Sequence, residues 1–124
     1  MKYLCLIYTD ERVLQAMPEP EWRSLVEQCL RFSATLERDG MYLAGEALES
    51  ATTATTLRVR AGKLSFTDGP FAETKEQLAG FYLIEAEGLH EALHAAAGIP
   101  AARLGSVEVR PVMSLAVGST PPAQ

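Results

Sequence analysis

An α+β sandwich, one antiparallel sheet with two helices on one face, is the fold class this sequence predicts. Three observations predict it. A strand–helix–strand pattern opens the chain, and the same pattern returns near its end. The longer amphipathic segments repeat at helical spacing, while the short segments are continuous or alternating in apolar character. Turn residues punctuate every junction between them.

Each element can be justified in order. Tyr3 to Tyr8 is apolar on both faces, as a central strand is. Pro18 and Pro20 follow, and Pro20 suits the first turn of a helix. Trp22, Leu25, Val26, Cys29, Phe32 and Leu36 then recur at three- and four-residue steps, which predicts a helix with one buried stripe. Gly40 sits where a C-terminal cap belongs. Met41 to Leu48 reads as the second strand. In the later half, Phe81 to Ile84 is a strand. Leu89, Ala92, Leu93, Ala96 and Ala97 mark a short helix ending at Gly98 and Pro100, and Val107 to Arg110 alternates as a half-buried strand. Between the halves, Thr55–Arg60 and Leu64–Thr67 flank the turn Ala61-Gly62-Lys63, an inserted β-hairpin. The order is that of a ferredoxin-like βαββαβ sandwich with an inserted hairpin. Such a sheet has one bare face. Tyr3, Cys5 and Ile7, or their alternates, would lie on it, and a bare apolar face calls for a partner. The expectation is a homodimer with sheets face to face, the dimeric α/β-barrel arrangement.

With 124 residues, the chain is read as one domain over residues 1–115 and a flexible tail over 116–124, rich in Gly, Ser and Pro. The net charge of −5 repels phosphate backbones, so nucleic acid is not an expected partner. No apolar run reaches the roughly 20 residues of a membrane span, and the apolar start reads as a strand rather than a signal sequence. Cys5 and Cys29 show no paired spacing, so free thiols in a cytoplasmic setting are expected.

The most specific stretch is Asp68-Gly69-Pro70-Phe71-Ala72-Glu73-Thr74-Lys75-Glu76, a tight turn with an aromatic and four charges. It runs on through Gln77-Leu78-Ala79-Gly80-Phe81-Tyr82-Leu83-Ile84-Glu85. With Met1-Lys2-Tyr3, Leu43–Leu48, Thr55–Arg60, Pro100–Arg103 and Gly105–Val112, it resembles the DGPF branch of the YCII-related family over nearly the whole chain short of the tail. The resemblance implies a ferredoxin-like fold, a dimer, and a setting near extracytoplasmic-function sigma factors, with a signalling partner protein as one prospect. A His–Asp pair has been proposed as an active site in the wider family. The matching helix position here falls near Cys29, with no His close by, and only Asp68 carries over.

Read for its chemistry, Asp68 is either a general acid or base in an apolar pocket or a turn residue whose carboxylate accepts backbone N–H bonds. Phe71 would form a pocket wall, and Lys75 would hold an anion or stabilise an enolate-like charge. Glu46, between Gly45 and Ala47, leaves room for a ligand beside it, or is an edge-strand charge that blocks aggregation. Arg58 either belongs to a solvated row with Arg60 and Arg110, or pairs with Glu46, Asp68 or Glu73, or clamps an anionic ligand. Tyr82 is a core or dimer-face residue, or presents its hydroxyl to a cleft. Thr74-Lys75-Glu76-Gln77 has capping-box form and predicts a short helical turn. His90-Glu91-Ala92-Leu93-His94 matches the His-Glu-x-x-His pattern, but the helix is short and lacks a third His, so no metal is assigned. No cofactor is expected. Three functions stay open: a small-molecule-binding or sensory dimer, a cofactor-free lyase, isomerase or dehydrochlorinase with Asp68, Glu46 and Lys75 as its catalytic groups, and a protein-interaction module. The first two require a pocket lined by Asp68 and Phe71. The third requires Phe71 exposed on a convex surface.

Overall fold

The computed structural model describes residues 1–118, 120 and 121. The tail expectation falls partly on residues 119 and 122–124, which lie outside the described residues. The elements run β1 (Lys2–Thr9), α1 (Glu11–Gln15), α2 (Glu19–Arg38), β2 (Tyr42–Ala47), β3 (Thr55–Arg60), β4 (Lys63–Asp68), β5 (Gln77–Glu85), α3 (Leu89–Ala96) and β6 (Ser106–Pro111). Short 3-10 turns occupy Ala51–Thr53 and Pro100–Arg103. The main sheet has the order β2-β5-β1-β6 with antiparallel pairing throughout, and β3 and β4 form a separate hairpin. This is the ferredoxin-like order, with helices on one face.

Register decides which side chains meet the helices. Tyr3, Cys5, Ile7 and Thr9 alternate on one face of β1, opposite Ile84, Tyr82, Gly80 and Gln77 of β5. Tyr3, Cys5 and Ile84 are buried there with Leu36 of α2, Ala92 and Ala96 of α3, and Ile99. Burying Ile84 and Ile99 contributes roughly 2–3 kcal/mol each. On α3 the buried residues are the alanines, while Leu89 and Leu93 are exposed. Small side chains there let the helix approach the sheet closely.

The bare face carries the alternates, Leu4, Leu6 and Tyr8, paired with Leu83, Phe81 and Leu78. These residues are half-buried or exposed in the single chain. Across β6, Glu108 and Arg110 lie opposite Leu6 and Leu4 and form an ion pair at 2.5 Å that edges this apolar face.

Helix α2 begins with Pro20 in its first turn. It ends as Gly40 predicts. Gly40 has φ +72°, its N–H bonds the Glu37 carbonyl at 3.0 Å, and the Met41 N–H bonds the Leu36 carbonyl at 2.9 Å. These are the two bonds of a Schellman cap. The hairpin turns on Ala61 and Gly62, with φ +51° and +74°, the left-handed pair that matches strand twist.

Two expectations change. The chain after β1 forms α1, which the sequence reading left unassigned, with Asp10 as its N-cap. The Thr74–Gln77 stretch forms no helical turn, because Gln77 starts β5. Its side chain reaches back to the Thr74 carbonyl, and the Thr74 hydroxyl donates to the Glu76 carbonyl.

Candidate functional site

The predicted buried stripe of α2 is only partly buried. Leu36 packs fully and Phe32 packs against the core, but Trp22 is 47 % exposed. Between the N-terminal half of α2 and the sheet lies a cleft of about 390 Å³. Trp22, Leu25, Val26, Cys29 and Ser33 face it from α2, and Ile7, Thr9, Gly80 and Tyr82 from the sheet. Ile99, Ala101 and Leu104 close one side, and Leu14 of α1 reaches in. The lining is mostly apolar with a few polar groups, as ligand pockets are.

Tyr82 is the sequence-predicted residue that this cleft brings into play. Its hydroxyl lies 2.8 Å from Ser33 Oγ, and Ser33 also donates to the Cys29 carbonyl at 3.1 Å. Its ring meets Phe32 and Tyr42 edge to face, with centroids 5.4 and 6.3 Å away. Gly45 makes room for it, since a Cβ there would stand 2.7 Å from Tyr82 Cδ1. Burial pushes the Tyr82 hydroxyl up, and the Ser33 bond pulls it partly back. Burial likewise pushes up the Cys29 thiol, so this side of the cleft is neutral at physiological pH.

Glu46 borders the cleft on β2, an edge strand, where it pairs with Phe81. That register turns its side chain toward the bare face. The edge position fits the aggregation-blocking reading, and the border position fits the ligand reading.

The Asp68–Glu76 loop stands elsewhere. Asp68 ends β4 opposite Thr55, is exposed, and does not line the cleft. Its carboxylate makes no side-chain hydrogen bond among the described residues. The turn is held by backbone instead. Gly69 has φ +104°, its N–H bonds the Ala54 carbonyl at 2.7 Å, and its carbonyl accepts from Thr56 Oγ1 at 2.9 Å. Phe71 is 82 % exposed, with the Arg58 guanidinium 5.8 Å from its ring centroid. Arg58 therefore spends its charge on an aromatic face. Glu73 and Lys75 are exposed, and Lys75 adds a weak pull on the Asp10 carboxyl. The structure thus separates the seven predicted residues. Tyr82 and Glu46 touch the cleft, Arg58 and Phe71 meet on the hairpin side, and Asp68, Glu73 and Lys75 face solvent.

Sequence reasoning missed Thr9, Ser33 and an acidic pair. Asp10 accepts from the Arg12 backbone N–H at 3.0 Å and from its guanidinium at 3.2 and 3.1 Å, which hold its carboxyl below the usual carboxylate range. Glu11 accepts from the Ala51 N–H at 2.6 Å and the Ser50 hydroxyl at 2.8 Å, tying α1 to the 3-10 turn. The Asp-Glu pair directly after an apolar strand was the available signal, since acidic residues favour helix starts. His90 and His94 are exposed on α3, and no cluster of three metal-ligating side chains occurs among the described residues. No helix among them is long and apolar enough to cross a membrane.

The chain is 39 % identical over 123 residues to an uncharacterized protein of Rhizobium meliloti (strain 1021), covering 98 % of this chain and 99 % of that one. The model of the YCII-related domain matches residues 1–116, and with a relative this similar along its full length, the chain belongs to the YCII-related family.

Proposed function

We propose that this chain is a small-molecule-binding protein that works as a homodimer, with its ligand in the cleft between α2 and the sheet rather than in the expected pocket lined by Asp68 and Phe71. The observation that carries this reading is the cleft itself, about 390 Å³ of largely apolar space inside one chain. A well-packed core leaves no such space. The dimer is supported by the bare face of Leu4, Leu6, Tyr8, Phe81 and Leu83, which is apolar and rimmed by Glu108 and Arg110. Stacking two such faces gives the dimeric α/β-barrel arrangement. A sensory role linked to sigma factors is supported by the resemblance to the DGPF branch alone.

The loop favours a second reading for itself. Phe71 is exposed and lines no part of the cleft, as a contact surface requires. We assign the loop to protein contact rather than to chemistry. Proton transfer by Asp68 and Lys75 is the less supported alternative, because both stand outside the cleft.

A thermal-shift screen of neutral metabolites, phenols and small acids tests the reading on the wild type, Ala47→Trp and Asp68→Asn. Ala47 lines the cleft and is exposed, so Trp fills space there without unfolding the sheet. Hits that stabilise the wild type and Asp68→Asn, but not Ala47→Trp, place the ligand in the cleft. Hits abolished only by Asp68→Asn would move the site to the loop. In size-exclusion chromatography, the wild type elutes as a dimer and Leu6→Glu as a monomer. A monomeric wild type at micromolar concentration removes the dimer.

A further inference from the structure

We infer that the cleft selects a neutral, mostly apolar small molecule with a single hydrogen-bonding group, held by the Thr9 hydroxyl. This inference rests on the reading of the cleft as the ligand site. Thr9 lines the cleft and is 3 % exposed; its Oγ1 is closed off from water and has no hydrogen-bond partner, so a ligand meets it only when the side chain turns about χ1 toward the cleft. Among the described residues it is the one buried side-chain polar atom in that state. Buried hydroxyls are nearly always paired, so an orphan beside a cavity marks where a partner is missing.

The surroundings leave this hydroxyl few positions. Thr9 pairs with Gln77 at the end of β1, so its backbone is held, and a β-branched side chain has few χ1 positions. Gly105 closes over the strand, since a Cβ there would stand 2.0 Å from the Tyr8 carbonyl oxygen. Leu104 and Ala101 line the same end. The other polar station is already satisfied. Ser33 and Tyr82 bond each other, and a ligand there would only exchange one hydrogen bond for another. Tyr82 is level with Cys5, four residues along β1 from Thr9. Four residues of strand put about 13 Å of backbone between Cys5 and Thr9, so the two stations stand at different levels of the sheet. The ligand's polar group belongs at the Thr9 end, and its apolar body lies toward Trp22, Leu25 and Cys29.

Charge narrows the class. No Lys or Arg lines the cleft, and Glu46 is the one charged residue at its border. An anion would lose its hydration with nothing to replace it. A hydroxyl both donates and accepts, so ketones, aldehydes and alcohols all qualify. The volume of about 390 Å³ is near the lower end for ligand pockets, which suits a one- or two-ring molecule.

Isothermal titration of the full chain with acetophenone, ethylbenzene and benzoate tests this. Acetophenone should bind the wild type and weaken about tenfold in Thr9→Val, the worth of one buried hydrogen bond. Ethylbenzene should bind both forms equally, and benzoate should bind neither. Equal acetophenone affinity in wild type and Thr9→Val, or benzoate binding as tightly as acetophenone, overturns the inference. Infrared spectroscopy of wild-type-bound acetophenone decides independently of whether Thr9→Val folds. The carbonyl stretch should fall below its position in hexane, and an unshifted band overturns the inference. If ethylbenzene binds the wild type and is lost in Ala47→Trp while the Thr9 results fail, only the hydroxyl's role falls. If no probe binds the wild type, the cleft reading falls with it.

Discussion

At the residue scale, the orphan hydroxyl and the capped carboxylate make opposite statements about stability. Thr9 Oγ1 is buried without a partner, which costs the ligand-free fold. Thr9→Val should therefore stabilise the free protein by about 1 kcal/mol and raise its Tm by about 4 °C in a thermal melt. Asp10 is the converse. Its carboxyl is held low, first by the Arg12 hydrogen bond. A depressed folded-state pKa adds stability above the unfolded value of about 3.9, and this is lost as pH falls through the folded value. Asp10→Asn should melt lower than wild type at pH 7, and the gap should close below about pH 4. A gap independent of pH would assign the loss to packing. Burial pushes the Cys5 thiol up to about 11, so it stays unreactive while the core is intact. At this scale the sequence was legible for Tyr82, an amphipathic ring with one polar tip. Thr9 was not legible, because a threonine ending a strand looks the same whether or not its hydroxyl finds a partner.

At the element scale, the hairpin and the long helix were legible because their signals are local. The apolar steps from Trp22 to Leu36 mark α2, and Gly40 marks its end. Helix α1 was hidden by its five-residue length, too short to show a period. The Asp68 turn was legible as a turn but not in its mechanism, which uses the Gly69 backbone and Thr56 rather than the Asp68 carboxylate. The hairpin also carries an unfavourable choice. Ala61 sits at φ +51°, where Asn is better tolerated. Ala61→Asn creates the preferred Asn-Gly pair and should raise stability by about 0.5 kcal/mol in urea unfolding. No change, or a loss, would show that the turn does not limit this element. On one face of the hairpin, Leu57 and Phe66, then Val59 and Leu64, form exposed apolar cross-strand pairs. The sequence shows that alternation but not that the sheet leaves it uncovered.

At the scale of the whole molecule, the topology was legible because the strand–helix–strand pattern repeats, and right pairing then follows from few options. The cleft was not legible. Whether an apolar stripe is covered depends on relative lengths. Helix α2 has 20 residues and spans about 30 Å, while the six-residue edge strand β2 spans about 20 Å. The surplus length leaves the first turns of the helix standing off. Its C-terminal turns, by contrast, are fastened by Phe32, Leu36 and the Gly40 cap. Beyond the Gln28–Arg103 hydrogen bond at 2.7 Å, the N-terminal turns are expected to swing like a door on one hinge. Amide exchange should show this as a gradient along a single element. Amides near Trp22 to Val26 should open locally and fast, while those from Phe32 to Arg38 should exchange only when the whole domain unfolds. A ligand seated beneath the helix should latch the door and flatten the gradient from its free end inward, so the protein would report occupancy through the motion of α2 before any strand moves.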